Sequence, residues 1–413
     1  MNTLDQNYLQ LIDHVLDTGH MSGDRTGTGT VKTFGNLISH NMSEGFPLLT
    51  CKKMFHKGII HELLWFLKGD TNIKYLVDNN VNIWVGDCFK KWLNTSNHYV
   101  SMSYEYHSKI VLKFDIISLE EYQKVAGEEY PSDGTLGSFM ISNIIDGKDI
   151  RTVVTSNSNI ATFNGKEDIV ESIKQLLTKG FTWKLKNDAQ FAKVWGELNK
   201  VYGAEWVNWD DDINQVQELI DSLRKNPDSR RMLVTAWNPT NVRNAVLPPC
   251  HLLWQVFTRE LTAIERENYY AELHDFTDDE RMGMNPNASD EEVHTIMNEA
   301  GIPSRELSLM FYMRSVDVGL GLPFDIASYG FLLSMIAAQT NMKLGELKWI
   351  LADTHIYKNQ IEELKTLKDR ENIYTLPKLT LNPNVKSIFD YTFDDIKIEN
   401  YRSHPELKLK LSN

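Results

Sequence analysis

Cysteine is scarce in this chain: three in 413 residues, Cys51, Cys88 and Cys250, with no CxxC pair among them. An odd, scattered set of thiols supports neither a disulfide framework nor a thiolate metal site, and fits a reducing cytoplasm. Positive charge is short too. The 43 lysines and arginines stand against 56 acidic residues, a formal charge of −13, which argues against a nucleic-acid polymer as partner because the proteins that bind one are broadly basic. The opening MNTLDQNYLQLIDHVL has no basic stretch followed by an apolar one, and no long uncharged apolar run comes later, so nothing is expected to target a membrane. Neither Walker spacing, nor a Rossmann fingerprint, nor an internal repeat is present.

At 42% hydrophobic the chain can bury a large core. Leu4, Tyr8, Leu11, Ile12 and Val15 recur at helical spacing, and Gly19 is placed to end that helix. DRTGTGT (Asp24–Thr30) reads as a flexible loop carrying Arg25. IIHELLWFL (Ile59–Leu67) reads as a mostly apolar helix with His61 and Glu62 inside it; a carboxylate there either turns to solvent or has work to do. From 94 to 190 the character changes. IVLKFDII, FMISNIID and IRTVVTSN read as strands and KEDIVESIKQLLTKG as a helix ended by Gly180, a small α+β interruption with no assignable motif. Ile213 to Leu223 is expected to be helical with Ile213, Val216, Ile220 and Leu223 on one face. Strands are expected at Met232–Trp237, Leu252–Phe257 and Leu307–Tyr312. A second, polar interruption at 260–305 carries a capping box at Ser289 and Glu292. Ile326–Thr340 reads as an apolar helix with Asp325 in its first turn.

One short stretch concentrates the chemistry. In LPPCH (Leu247–His251), two prolines stiffen the backbone in front of Cys250 and aim its thiol. A free cysteine is more often an inert buried hydrophobe, but SRR (Ser229–Arg231) and RSVDVGLGLPFDIASYG (Arg314–Gly330) offer arginines that hold an anion and favour a thiolate. Taken singly, arginine pairs, a lone His355 and the apolar IASYGFLL have ordinary structural explanations.

Together, DRTGTGT, IIHELLWFLKGDTNI, NPDSRR, PPCH, RSVDVGLGLPF, ADTHIY and SIFDY stand in the order and spacing of thymidylate synthases, and outside the two interruptions the chain resembles that family. The resemblance implies an α+β fold, a large mixed β-sheet packed by helices and dimerising through its sheet face. One catalytic domain would span 1–413, interrupted at 94–190 and 260–305. It implies an enzyme transferring a one-carbon unit from 5,10-methylenetetrahydrofolate, a co-substrate, to C5 of a deoxypyrimidine monophosphate, with no metal. Cys250 matches the nucleophile that adds at C6, a conjugate addition suited to a soft thiolate. Glu62 matches the carboxylate that organises proton transfers, with His251 and Tyr202 in its polar network. Arg25, Arg314 and Ser315 match phosphate contacts from one subunit, and Arg230 and Arg231 those donated by the other subunit of a homodimer. His355 and Tyr357 match the residues on the ribose hydroxyl. Trp84, Ile83, Asp317, Leu320, Gly321, Phe324 and Lys52 match the folate side, Asp317 facing the pteridine.

Three departures bear on product. Asp325 stands where thymidylate synthases have asparagine, whose amide suits the uracil edge; a carboxyl that accepts from N4 and, when protonated, donates to N3 suits cytosine. Deoxycytidylate hydroxymethylases resemble this chain there. IWVGD replaces an aromatic wall with Asp87, and the C-terminal KLKLSN is polar where an apolar lid is usual, so water is expected to reach the one-carbon centre. The reading that follows is hydroxymethylation of dCMP, in the cytoplasm and in the setting of a virus with modified DNA. Thymidylate synthesis, dUMP hydroxymethylation, dCMP methylation and a catalytically silent nucleotide- or RNA-binding relative stand as alternatives.

Overall fold

A computed structural model of the chain describes residues 2–24, 26–95, 99–107, 109–117, 139–145, 148–154, 178–243, 245–274, 288–371 and 373–412, with backbone alone from 93 to 154. The chain divides into two compact units, one made of Met1–Asp70 with Lys200–Asn413 and the other of Thr71–Asn199.

The first unit is built on a six-stranded mixed sheet. Its strands are β1 (His20–Ser22), β2 (Thr30–Asn41), β7 (Leu233–Thr235), β8 (His251–Glu260), β9 (Arg305–Asp317) and β10 (Lys343–Tyr357), in the order β1-β2-β10-β9-β8-β7. Only β10 and β9 run parallel. Burial alternates along β9, with Leu307, Leu309, Phe311 and Met313 turned inward, as a strand with one covered face requires. The covering element is the helix Gly321–Thr340, buried almost throughout from Leu322 to Ala337. Its length and composition match those of a membrane span, but it is the core helix of this unit. The other face is left open, with Leu37 at 66%, Phe257 at 65% and Met310 at 37% exposure.

Gly19 does end the first helix, Thr3–Thr18, but with φ −75° and not in a left-handed cap. A Cβ there would lie 2.3 Å from the Val15 carbonyl oxygen, so close approach is what selects glycine. The helix read from Ile213 runs Gln215–Lys225, capped by Asn214; Ile213 falls outside it, 40% exposed. The three expected strands appear with longer or shorter ends as β7, β8 and β9. Between β8 and β9 the polar interruption forms two helices, Ala263–Leu273 and Asp290–Glu299, each with a capping box. Ala263, Val293, Met297 and Ile302 pack between them, so the segment has a small core of its own. Lys378–Leu381 (β11) and Ile396–Glu399 (β12) pair beyond the main sheet.

In the second unit, Tyr99–His107 (β3) pairs with Lys109–Ile117 (β4) and Phe139–Ile145 (β5) with Lys148–Val154 (β6), both antiparallel. These cover most of the strands read in the 94–190 interruption, which lies wholly within this unit. Gly180 does not end a helix: 178–187 is continuous helix. The start of the helix expected there lies outside the described residues. Phe89, Trp92, Phe181 and Phe191 pack ring on ring at 5.5 to 6.4 Å.

Candidate active site

Cys250 is half-buried, at the entrance to β8. Its backbone is held from both sides: its N–H donates to the Tyr202 hydroxyl at 2.8 Å, and its carbonyl accepts from the Arg314 N–H at 2.8 Å. The Arg314 guanidinium then reaches back along LPPCH, Nε to the Pro249 carbonyl at 2.7 Å and Nη2 to the Pro248 carbonyl at 2.8 Å. Two fixed donors on one rigid fork match two successive carbonyls, and a flexible ammonium does not. That anchoring leaves Nη2 3.9 Å from the Cys250 Sγ. The Trp237 ring lies 5.7 Å under the same guanidinium.

Tyr202 reaches Cys250 from a strained backbone, φ 27° and ψ −90°, at the start of the helix Gly203–Val207. The next residue has to be glycine, because a Cβ there would meet the Phe66 carbonyl oxygen at 2.1 Å. Buried strain of this kind persists where surrounding structure over-determines it. Burial pushes the Tyr202 hydroxyl well above its usual range, with the charges of Cys250, Asp325 and Glu62 adding to the rise. Glu62, half-buried on the helix His56–Leu67, thus faces the same small volume.

His251 sits in an aromatic cage: stacked on Tyr202 at 4.1 Å, edge-on to Tyr329 at 5.5 Å, and 6.0 and 6.3 Å from Phe66 and Trp206. Burial lowers its pKa to about 3, so the ring is neutral near pH 7. Its Nδ1 is 2.9 Å from the Tyr329 hydroxyl and its Nε2 3.6 Å from the Asp325 Oδ1. Asp325 and Tyr329 are four residues apart on one helix and therefore share a face. Burial, and then the nearby Glu62 and Asp317 carboxylates, push the Asp325 carboxyl well above the usual range. Its side chain keeps 18% exposure, and burial favours its protonated form.

Asp317, at the end of β9, accepts the Gly319 and Leu320 N–H groups on Oδ1 at 2.9 and 3.1 Å. Burial raises its pKa against those bonds. Oδ2 accepts no hydrogen bond among the described residues, which fits a ligand ring presenting N–H donors there. Lys52 is turned inward, its Nζ donating to the Gly319 carbonyl at 2.6 Å; burial lowers its pKa to about 8. It braces the turn from behind. The C-terminal tail packs beside the same turn: a Cβ on Gly319 would lie 3.0 Å from Leu409, the Lys410 carbonyl accepts from Gln360 at 3.0 Å, and Asn359 donates to the Ser412 hydroxyl at 3.1 Å. The polar KLKLSN is thus held at Leu409, Lys410 and Ser412, while Lys408 and Leu411 are exposed.

His355 is buried, its Nδ1 3.1 Å from Asp353 Oδ1 and its ring edge-on to Tyr357 at 5.3 Å. Ser315, Leu320, Gly321 and Phe324 are half-buried around the Asp317 turn. Arg230 and Arg231 are exposed and form no ion pair with any described residue of this chain. Arg25 lies outside the described residues; in its loop Gly27 and Gly29 take φ of 76° and 80°, which favours glycine. Ile83, 41% exposed, and buried Trp84 belong to the second unit, as does Asp87.

Sequence reasoning missed Tyr329, whose four-residue spacing from Asp325 was the available signal. It also missed Glu205, which is buried and takes hydrogen bonds from Asn238 at 3.1 Å and Asn241 at 2.8 Å. No local pattern announces that contact.

The family model described as thymidylate synthase matches residues 6–413. The thymidylate synthase of Leuconostoc mesenteroides is 34% identical over 416 aligned residues, covering 99% of this chain and 98% of the relative. Those of Mycoplasma mobile and Malacoplasma penetrans are each 34% identical over 407, covering 98% of this chain and 99% of the relative.

Proposed function

The chain belongs to the thymidylate synthase family, whose reaction is one-carbon transfer to a deoxypyrimidine, and from that premise we propose that it makes thymidylate from dUMP. The observation that carries the reading is the aimed thiol, with Cys250 Sγ 3.9 Å from the Arg314 guanidinium and its backbone fixed by Tyr202 and Arg314. The fixed positive charge stabilises the anionic sulfur, and the thiolate adds to C6 of the pyrimidine so that C5 becomes the nucleophile. Glu62 and Tyr202 hold and move protons at the base. Methylenetetrahydrofolate, the family's co-substrate, supplies the one-carbon unit and, for a methyl product, the hydride; Asp317, Leu320, Gly321 and Phe324 are its binding residues. Arg25, Arg314 and Ser315, with Arg230 and Arg231 of a second copy, take the phosphate, and His355 and Tyr357 the ribose.

The three relatives, each a thymidylate synthase, support thymidylate over the dCMP hydroxymethylation expected from the sequence. The tail contacts beside the Asp317 turn support it as well, since a tail that kept water from the one-carbon centre would leave hydride as the partner. Asp325 keeps a second reading alive. As a neutral acid it accepts from uracil N3–H while donating to O4, or accepts from cytosine N4–H while donating to N3; nothing in a carboxyl forces the first. Leu37 and Phe257, exposed on the open sheet face, support a homodimer through that face. The cytoplasm remains the proposed location.

The test is incubation with methylenetetrahydrofolate and either dUMP or dCMP, following dihydrofolate absorbance and weighing the nucleotide. Dihydrofolate with a product heavier by a methyl group on dUMP is expected. A hydroxymethyl product on dCMP without dihydrofolate would replace this reading with the second. Asp325→Asn should then raise dUMP preference by about tenfold, since a mismatched donor–acceptor pair costs about 1–3 kcal/mol.

A further inference from the structure

Helix Gly321–Thr340 places Tyr329 one turn behind Asp325, with the imidazole of His251 between the two side chains. Tyr329 is 2% exposed, and among the described residues Nδ1 of His251 is the only hydrogen-bond partner of its hydroxyl. A buried O–H without an acceptor is costly, so the hydroxyl donates and Nδ1 accepts. In a neutral imidazole the proton is then on Nε2, the nitrogen that faces Asp325 Oδ1 at 3.6 Å. The rings leave His251 little freedom to turn: it is stacked on Tyr202, and Tyr329 itself is stacked on Phe311 at 3.9 Å.

We infer that Tyr329 is a specificity-determining positioning residue: through the tautomer of His251 it fixes Asp325 Oδ1 as the acceptor oxygen and Oδ2 as the one that carries the proton toward the pyrimidine edge. A neutral carboxyl free to exchange its two oxygens pairs with uracil and cytosine alike, whereas one with an assigned acceptor presents a fixed donor–acceptor order. The discrimination between the bases is thus set one residue away from the group that reads them. This deepens the reading above and rests on it for the claim that Asp325 meets the base. Lys52, Glu62 and Asp317 carry the neighbouring charges and do not touch Tyr329.

Nitrogen-15 spectra of the His251 ring in the full chain, assigned by comparison with His251→Gln, test the first half without substrate. A protonated Nε2 and an unprotonated Nδ1 near pH 7 are expected; a protonated Nδ1 overturns the inference, whatever base the enzyme takes. Tyr329→Phe tests the second half. The ratio of kcat/KM for dUMP to that for dCMP should move toward one by about tenfold, while tritium release from the preferred C5-labelled nucleotide shows that the site still turns over. A ratio unchanged within twofold, or loss of activity on both bases in equal proportion, assigns Tyr329 a packing role and overturns the inference. Lack of activity of the unsubstituted enzyme on either base counts against the proposed function and leaves the spectral result to decide on the relay.

Discussion

The two ends of the proposed nucleotide site are built differently. At the base end, Tyr202, His251, Tyr329 and Arg314 are bonded or stacked within one chain, Asp325 Oδ1 lies 3.6 Å from the imidazole, and burial shifts the pKa values of Tyr202, His251, Tyr329 and Asp325. At the phosphate end, Arg230 and Arg231 stand exposed and pair with no described acid of the same chain. Arg314 belongs to both: its guanidinium is spent on Pro248 and Pro249 carbonyls and still faces the sulfur. In the proposed function, chemistry that needs fixed geometry is supplied by the packed interior, and charge that would meet a phosphate is left at the surface, where a second subunit would complete it. Each end therefore fails in its own way.

The largest effect is expected at the packed end. Cys250→Ala should abolish turnover, by at least on the order of 10³-fold, because no other described thiol takes its place: Cys51 and Cys88 are buried and burial raises their pKa, Cys51 beyond the accessible range and Cys88 to about 12. Nucleotide binding should survive, since the phosphate arginines remain. Measured kcat within tenfold of the parent would remove Cys250 from its role.

The open end should respond in binding and across subunits. Arg231→Ala is expected to raise the nucleotide KM by about tenfold with kcat changed far less, as loss of a phosphate contact distant from the reacting carbon implies. Mixing Arg231→Ala with inactive Cys250→Ala after denaturation and refolding should bring back sites with the parental nucleotide KM, since one mixed dimer site would hold a parental Cys250 and a parental Arg231. No recovery, or activity in a sedimenting monomer, would show that the arginines serve their own chain and that the contrast between the two ends is misdrawn.

The same division explains what the sequence could show. Cys250, Arg314, Asp317 and Asp325 were legible because each sits in a short motif whose neighbours, Pro249 or Pro323 for instance, constrain it locally. The helix Gly321–Thr340 was legible from its apolar run. Tyr329's contact with His251 was not, because its partner is 78 residues away and reaches it only when β8 lies beside that helix. Composition misled at the tail: four of the last six residues are polar, yet the Lys410 carbonyl, Ser412 and Leu409 hold it beside the turn, and mean hydropathy does not report those contacts. The end of the apolar face was misread at Ile213 because a helical period was continued past Asn214, whose side chain caps the helix by accepting the Gln217 N–H.

The last effect concerns the pH dependence of stability and again separates the ends. His251 has a folded pKa of about 3 against an ordinary 6.5, so between those values the unfolded chain binds a proton that the folded chain refuses. Stability must therefore rise with pH across that window, by about 1.4 kcal/mol per unit for one such group, and be unaffected by His251 above about pH 7. His251→Gln should flatten the slope of unfolding free energy against pH between about 4 and 6, measured by denaturant melts, without changing it at pH 8. Arg231→Ala should leave that slope alone, because an exposed arginine keeps its charge in both states. An equal slope in the His251→Gln protein would mean that the imidazole is hydrated and titrates normally, and the neutral, caged ring on which the order of donors at Asp325 depends would be lost with it.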